Sequence, residues 1–94
     1  VPIEHANGTV TTTADTVTWT NGVGAADRLH NLAMSIVNSG TTNNLLVSFD
    51  SGTTQFTLEP KRNLDIDGSV RNFQVKSNTS TTTYEALMYY DAWE

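Results

Sequence analysis

The chain has 94 residues, 5 basic against 10 acidic, a net charge of −5 and no cysteine. That length makes one domain, because either half alone would be too small to bury a core, and without cysteine there is neither a disulfide framework nor a thiolate metal site. No basic cluster is present to meet a phosphate backbone, no apolar run is as long as a membrane span, and the first residues lack a signal peptide's basic and apolar regions; nucleic acid and membrane are not expected partners.

Polarity comes mainly from 16 Thr, 7 Ser and 9 Asn, residues that suit exposed strand faces and turns. Val1 to Ala14 has only Ile3 and Val10 as apolar anchors and reads as an extended arm or weak edge strand. Thr16 to Thr20 is a strand with Val17 and Trp19 on one face, stopped by the Asn21-Gly22 turn signal. From Arg28 to Asn38 the residues Leu32, Met34 and Ile36 share one face of a strand. Leu29, Leu32, Ala33 and Ile36 also fit helical spacing, and the strand is the favoured reading. Leu45, Val47 and Phe49 alternate next, and Asp50-Ser51-Gly52 closes a hairpin with Thr53 to Leu58. Glu59-Pro60 and Asp67-Gly68 punctuate the following runs, and Thr82 to Tyr90 ends the series with both faces fairly apolar.

Short strands at this spacing predict an all-β fold: a small antiparallel β-sandwich, jelly-roll-like, of about seven or eight strands. Its expected division is an N-terminal arm or edge strand at 1–14 and one sandwich domain at 15–94. The expected core is Leu32, Met34, Ile36, Val47, Phe49, Phe56, Leu64, Ile66, Phe73, Val75 and Met88.

Chemistry is harder to find. Asp65 and Asp67 share one side of a strand before a turn, but calcium needs six to eight oxygens gathered by a loop, and the rest of an EF-hand pattern is missing. His5 and His30 are not at metal-ligand spacing from other ligands. Glu59 and Glu85 are the carboxylates to consider for glycoside hydrolysis, and nothing in the sequence brings them together. The sequons at Asn7 and Asn78 are what composition alone produces in a chain so rich in Asn, Ser and Thr. No catalytic residue, metal site or cofactor is therefore expected, and the chain is not expected to be an enzyme. Pro2, Ile3, Trp19, Tyr89 and Trp93 are the candidate contact residues, as apolar or aromatic groups near the ends of strands or of the chain. The arm and Trp93 are expected to become ordered only against a partner, so that losing them leaves the domain itself stable.

Leu58-Glu59-Pro60, Leu64 to Gly68, Phe73 to Ser77 and Tyr84 to Tyr90 form an order of strands and turns spanning roughly residues 36 to 91. In that order the chain resembles small all-β virion proteins of tailed bacteriophages, particularly capsid decoration (cement) proteins and related head or tail appendages. The resemblance implies a non-enzymatic structural protein on the outer surface of the capsid. Its implied partners are the major capsid protein and other copies of itself, a homo-oligomer with the trimer favoured. The alternative reading is a carbohydrate-binding or receptor-binding β-sandwich module that stacks sugars on Trp19, Tyr89 or Trp93.

Overall fold

A computed structural model describes residues 3–20, 29–68 and 70–92, with backbone alone at 29–32 and 91–92. Eight strands follow in order: β1 (Ile3–Val10), β2 (Asp15–Thr18), β3 (Leu29–Asn38), β4 (Leu45–Ser48), β5 (Phe56–Leu58), β6 (Asn63–Asp67), β7 (Asn72–Ser77) and β8 (Thr82–Ala92). They form two four-stranded sheets, ordered β1-β8-β3-β6 and β2-β7-β4-β5. The antiparallel pairs β1/β8, β2/β7, β3/β6 and β4/β5 are nested, as in one long hairpin whose tip is the β4–β5 turn. Rolling that hairpin adds the β3/β8 and β4/β7 pairs and produces a jelly roll. The expected all-β sandwich is the observed architecture, and the favoured strand reading of the Arg28 to Asn38 run is realised as β3.

Alternation explains which face each strand buries. Met34, Ile36, Ala86, Met88 and Tyr84 from the first sheet meet Leu45, Val47, Phe73 and Val75 from the second, all in one buried cluster. Trp19, Phe73, Phe49 and Phe56 form an aromatic row at one end, with successive centroid distances of 5.8, 6.1 and 5.8 Å. Gly8 lies opposite Tyr84, and a Cβ there would touch the phenol ring at 3.4 Å, so the glycine leaves room for the ring inside the sandwich.

Three expectations need correction. Phe56 was expected inside and is 44% exposed, because it opens a three-residue edge strand, where its ring packs against Phe49 with one side in water. Of the two readings of the 1–14 segment, arm or edge strand, the described residues show the edge strand: β1 pairs with β8 through all eight of its residues, and Val10, which the expected core omits, is 1% exposed inside. The backbone then crosses to the second sheet, where the Thr11 carbonyl accepts from the Ser77 N–H at 2.7 Å. Loss of residues 3–8 would therefore remove most of a paired strand. In β3 the register with β8 slips between Asn31 and Ala33, so the strict alternation drawn through Leu32 is interrupted by a bulge. The core placement of Leu32, a side-chain matter, lies outside the described residues, as do Pro2 and Trp93.

Phe73 touches both Trp19 and Phe49 and is 1% exposed. Its replacement in Phe73→Ala is expected to cost about 3–5 kcal/mol in urea unfolding, as truncation of a buried aromatic does; a loss below about 1 kcal/mol would contradict the packing described here.

Candidate functional site

The outer face of the first sheet carries a two-dimensional array of side chains set by register. Ile3, Tyr89, Ala33 and Asp67 form one row across β1, β8, β3 and β6; His5, Leu87, Ser35 and Asp65 form the next; Asn7, Glu85, Val37 and Asn63 follow. Ile3 is 52% exposed and Leu87 36% exposed, which places two large aliphatic side chains in water beside Tyr89. Small residues, Ala33 and Ser35, leave a shallow depression between Tyr89 and the Asp65–Asp67 edge. His5 Nε2 stands 3.6 Å from Glu85 Oε1 across the β1/β8 pair. The face thus offers an apolar patch at Ile3, Leu87 and Tyr89, an imidazole on β1 beside the Glu85 carboxylate, and two further carboxylates on the β6 rim. This arrangement suits docking of a complementary surface, and it sets no nucleophile beside a base.

The same geometry places the remaining sequence candidates. Asp65 and Asp67 are exposed on edge strand β6, and Asn63 donates to Asp65 at 3.3 Å. Among the described residues no three His, Cys, Asp or Glu side chains are grouped to hold a metal ion. Glu59 is exposed in the β5–β6 connection and Glu85 is exposed on the outer face of β8. Ile3 and Tyr89 do come together, as a cross-strand pair. Trp19 does not join them: it is 1% exposed and packed on Phe73, so neither face of its indole is open to a sugar or a partner. The sequence reading of Trp19 as a contact residue is corrected on that ground. Its backbone N–H donates to the Arg71 carbonyl at 3.3 Å, drawing the chain beyond β2 over the core. Next to it, the Thr20 N–H and hydroxyl donate to the Glu4 carboxylate at 3.0 and 2.9 Å, tying that end of β2 to β1.

At the opposite end of β3 lies a feature that periodicity did not single out. Asn38 is fully buried. Its amide donates to the carbonyls of Asn43 and Leu58 at 2.9 and 2.8 Å, while its side-chain oxygen accepts from the Gly40 N–H and the Thr82 hydroxyl at 3.0 and 2.8 Å. All four hydrogen-bonding positions of the side chain are occupied. The backbone of Asn38 adds a donation to Arg62 at 3.0 Å and an acceptance from Lys61 at 2.7 Å. Lys61 holds φ at +67° after Pro60, the pattern of a type II turn, and its Nζ donates to Ser39 at 2.8 Å. Gly40 is required here by space, because a Cβ would collide with the Thr82 hydroxyl. In sequence Ser39-Gly40 reads as an ordinary strand stop, and the available signal is the threonine-rich run 81–83, whose hydroxyls need partners when buried.

The β4–β5 tip is organised by Asp50 and Ser48. Asp50 Oδ1 accepts from the Thr54 N–H and the Ser48 hydroxyl, both at 2.8 Å, and Ser48 Oγ accepts from the Gly52 N–H at 2.7 Å. These donors, the Thr54 N–H first and then Ser48, hold the Asp50 carboxyl below the usual carboxylate range. Tyr84 is displaced upward, mainly by burial and then by the charge of Asp15.

The fold class defined by this strand order is an eight-stranded antiparallel jelly roll. Among solved structures it is similar to the cupin domain of an XRE-family transcriptional regulator from Enterobacter cloacae, with TM-score 0.61, 12% identity and coverage of 93% of this chain and 80% of that one. The NLP core of Drosophila, described in terms of pentamer formation and histone binding, superposes more loosely, with TM-score 0.44 and 14% identity over 93% of this chain and 97% of that one. No family model matches the chain, and no curated protein matches it. The cupin likeness is one of architecture, and the interior of this sandwich is filled by Met34, Ile36, Phe73, Tyr84 and Met88.

Two outcomes test these local networks. Asn38→Ala strips four partners inside the fold and is expected to cost at least about 3 kcal/mol in urea unfolding. A depressed folded-state pKa for Asp50 means a contribution to stability that is present above the unfolded pKa and lost as pH falls through the folded value. The thermal midpoint of the native protein should accordingly fall more steeply on acidification below about pH 4 than that of Asp50→Asn.

Proposed function

We propose that the chain is a non-enzymatic structural protein of a virion, a capsid decoration protein that binds the outer surface of the shell and stabilises it by adhesion. The observation that carries this reading is the outer face of the β1-β8-β3-β6 sheet, where Ile3 and Leu87 stand exposed beside Tyr89 on a rigid strand framework. Jelly rolls serve viral capsid proteins as well as lectins and cupins, and the strand-and-turn order over roughly residues 36 to 91 resembles that of phage decoration proteins. The fold also presents a surface rich in Thr, Ser and Asn and poor in basic side chains, suited to an exterior position. Partners in this reading are the major capsid protein and further copies of the chain. Binding to the assembled shell, and to no isolated capsid subunit, stabilises the shell by mass action.

The test is co-sedimentation of the purified chain with shells assembled from the major capsid protein of its virion. The chain is expected to bind at micromolar concentration and to raise the temperature at which the shells come apart. Absence of binding at that concentration would remove the reading.

A further inference from the structure

At the end of the sandwich where Asn38 is buried, the β3–β4 connection and the start of β8 enclose an open cleft of about 500 Å³. Two hydrogen bonds tie its walls together: one between the Ser39 and Thr83 hydroxyls at 2.7 Å, the other from the Asn43 amide to the Thr81 carbonyl, also at 2.7 Å. Between these ties lie Gly40, Thr41 and Thr42 on one wall and Thr82 on the other. Gly40 carries no side chain there because a Cβ would collide with the Thr82 hydroxyl, which is turned inward to Asn38. The cleft therefore stands on the Asn38 clamp, and it lies beyond the Glu85 row, away from the exposed Ile3 and Leu87.

We propose that this cleft binds a neutral sugar. Ser39, Thr41, Thr42, Asn43, Thr81 and Thr83 line it, and among the described residues that do so none is charged and none is aromatic. The Lys61 ammonium donates to the Ser39 carbonyl at 2.8 Å and is not among the lining groups. An anion would find no cation here, and a metal ion no carboxylate. Every hydroxyl both donates and accepts, on the protein and on a sugar alike. Ser39 and Thr83 share one hydrogen between them, which leaves the pair a further O–H and free lone pairs for a ligand. Threonine adds a methyl group on the same carbon, so the walls alternate O–H and C–H groups as a sugar ring does. Its branched side chain is stiff at χ1, so little rotamer freedom is lost on binding. The volume is that of a small-molecule site. Hydrogen bonds exchanged with water contribute little each, and without a ring to stack on the affinity falls in the millimolar range.

Amide NMR spectra of the full chain test the proposal, titrated with methyl glucoside, methyl galactoside and methyl mannoside from about 1 to about 100 mM. At least one of the three should give saturable shifts centred on Gly40, Thr41 and Thr83, and glucose 6-phosphate should bind more weakly than that sugar. Thr41→Val and, separately, Thr83→Val each remove a hydroxyl at nearly constant shape and should weaken its binding about tenfold. Thr41 is exposed, so its variant should keep the native thermal midpoint. No saturable shift with any of the three, equal shifts with glycerol, tighter binding of the phosphate, or native affinity in both variants overturns the inference. Loss of shell binding in Thr41→Val would overturn it as well, because the cleft would then belong to the shell. Shell binding itself is measured by co-sedimentation, so failure of either idea leaves the other standing.

Discussion

A sandwich can close only if the backbone groups at the ends of its strands find partners away from water, and one buried amide meets that constraint here. Asn38 ends β3 in the first sheet, yet its side chain reaches the Leu58 carbonyl at the end of β5 in the second. It also takes the Thr82 hydroxyl at the start of β8 and the backbone on both sides of the β3–β4 connection. A buried amide left half-paired would cost more than it contributes, whereas one with every position filled fixes a unique arrangement. The turn at Pro60-Lys61 and the absent side chain at Gly40 follow from the same demand, because both let the chain pass close to Asn38.

From that clamp the fold runs toward two different ends. The nested pairing makes the β4–β5 tip the innermost turn, and there Asp50 and Ser48 replace missing ladder bonds with side-chain acceptors. Ser51 and Gly52 both take positive φ in this tip. The outermost pair, β1 with β8, closes the first sheet and presents the apolar outer face. Stability is thus concentrated in the filled interior, and the exposed Ile3 and Leu87 lie on a surface that contributes nothing to that interior. Substitutions on the outer face therefore leave the filled interior untouched.

The exposed aliphatics also connect local sequence to association. On β8 both faces are apolar, a pattern expected of a central strand or of one covered on its second side. β8 is central in its sheet, between β1 and β3, but the sandwich covers only its inner face. Leu87 is therefore a large aliphatic side chain that the described residues leave exposed on the outer side of β8.

Much of the architecture was legible in the sequence. Alternation with period two marks a strand with one buried side, so Met34, Ile36, Val47, Phe73, Val75 and Met88 could be placed in the core one residue at a time. Turn residues could be placed as well, because Asp50-Ser51-Gly52 and Pro60 act through local backbone preferences. Alternation is silent about which strand lies beside which, since pairing joins residues far apart in the chain. Tertiary structure alone decided that β1 would zip onto β8 and carry Val10 inside, and that the indole of Trp19 would be roofed over beside Phe73. It likewise left Phe56 at an edge, and it brought Asn38, Leu58 and Thr82 together from three separate segments. Burial of a particular side chain depends on what the rest of the chain places above it, and that is a property of the whole packing, not of any run of residues.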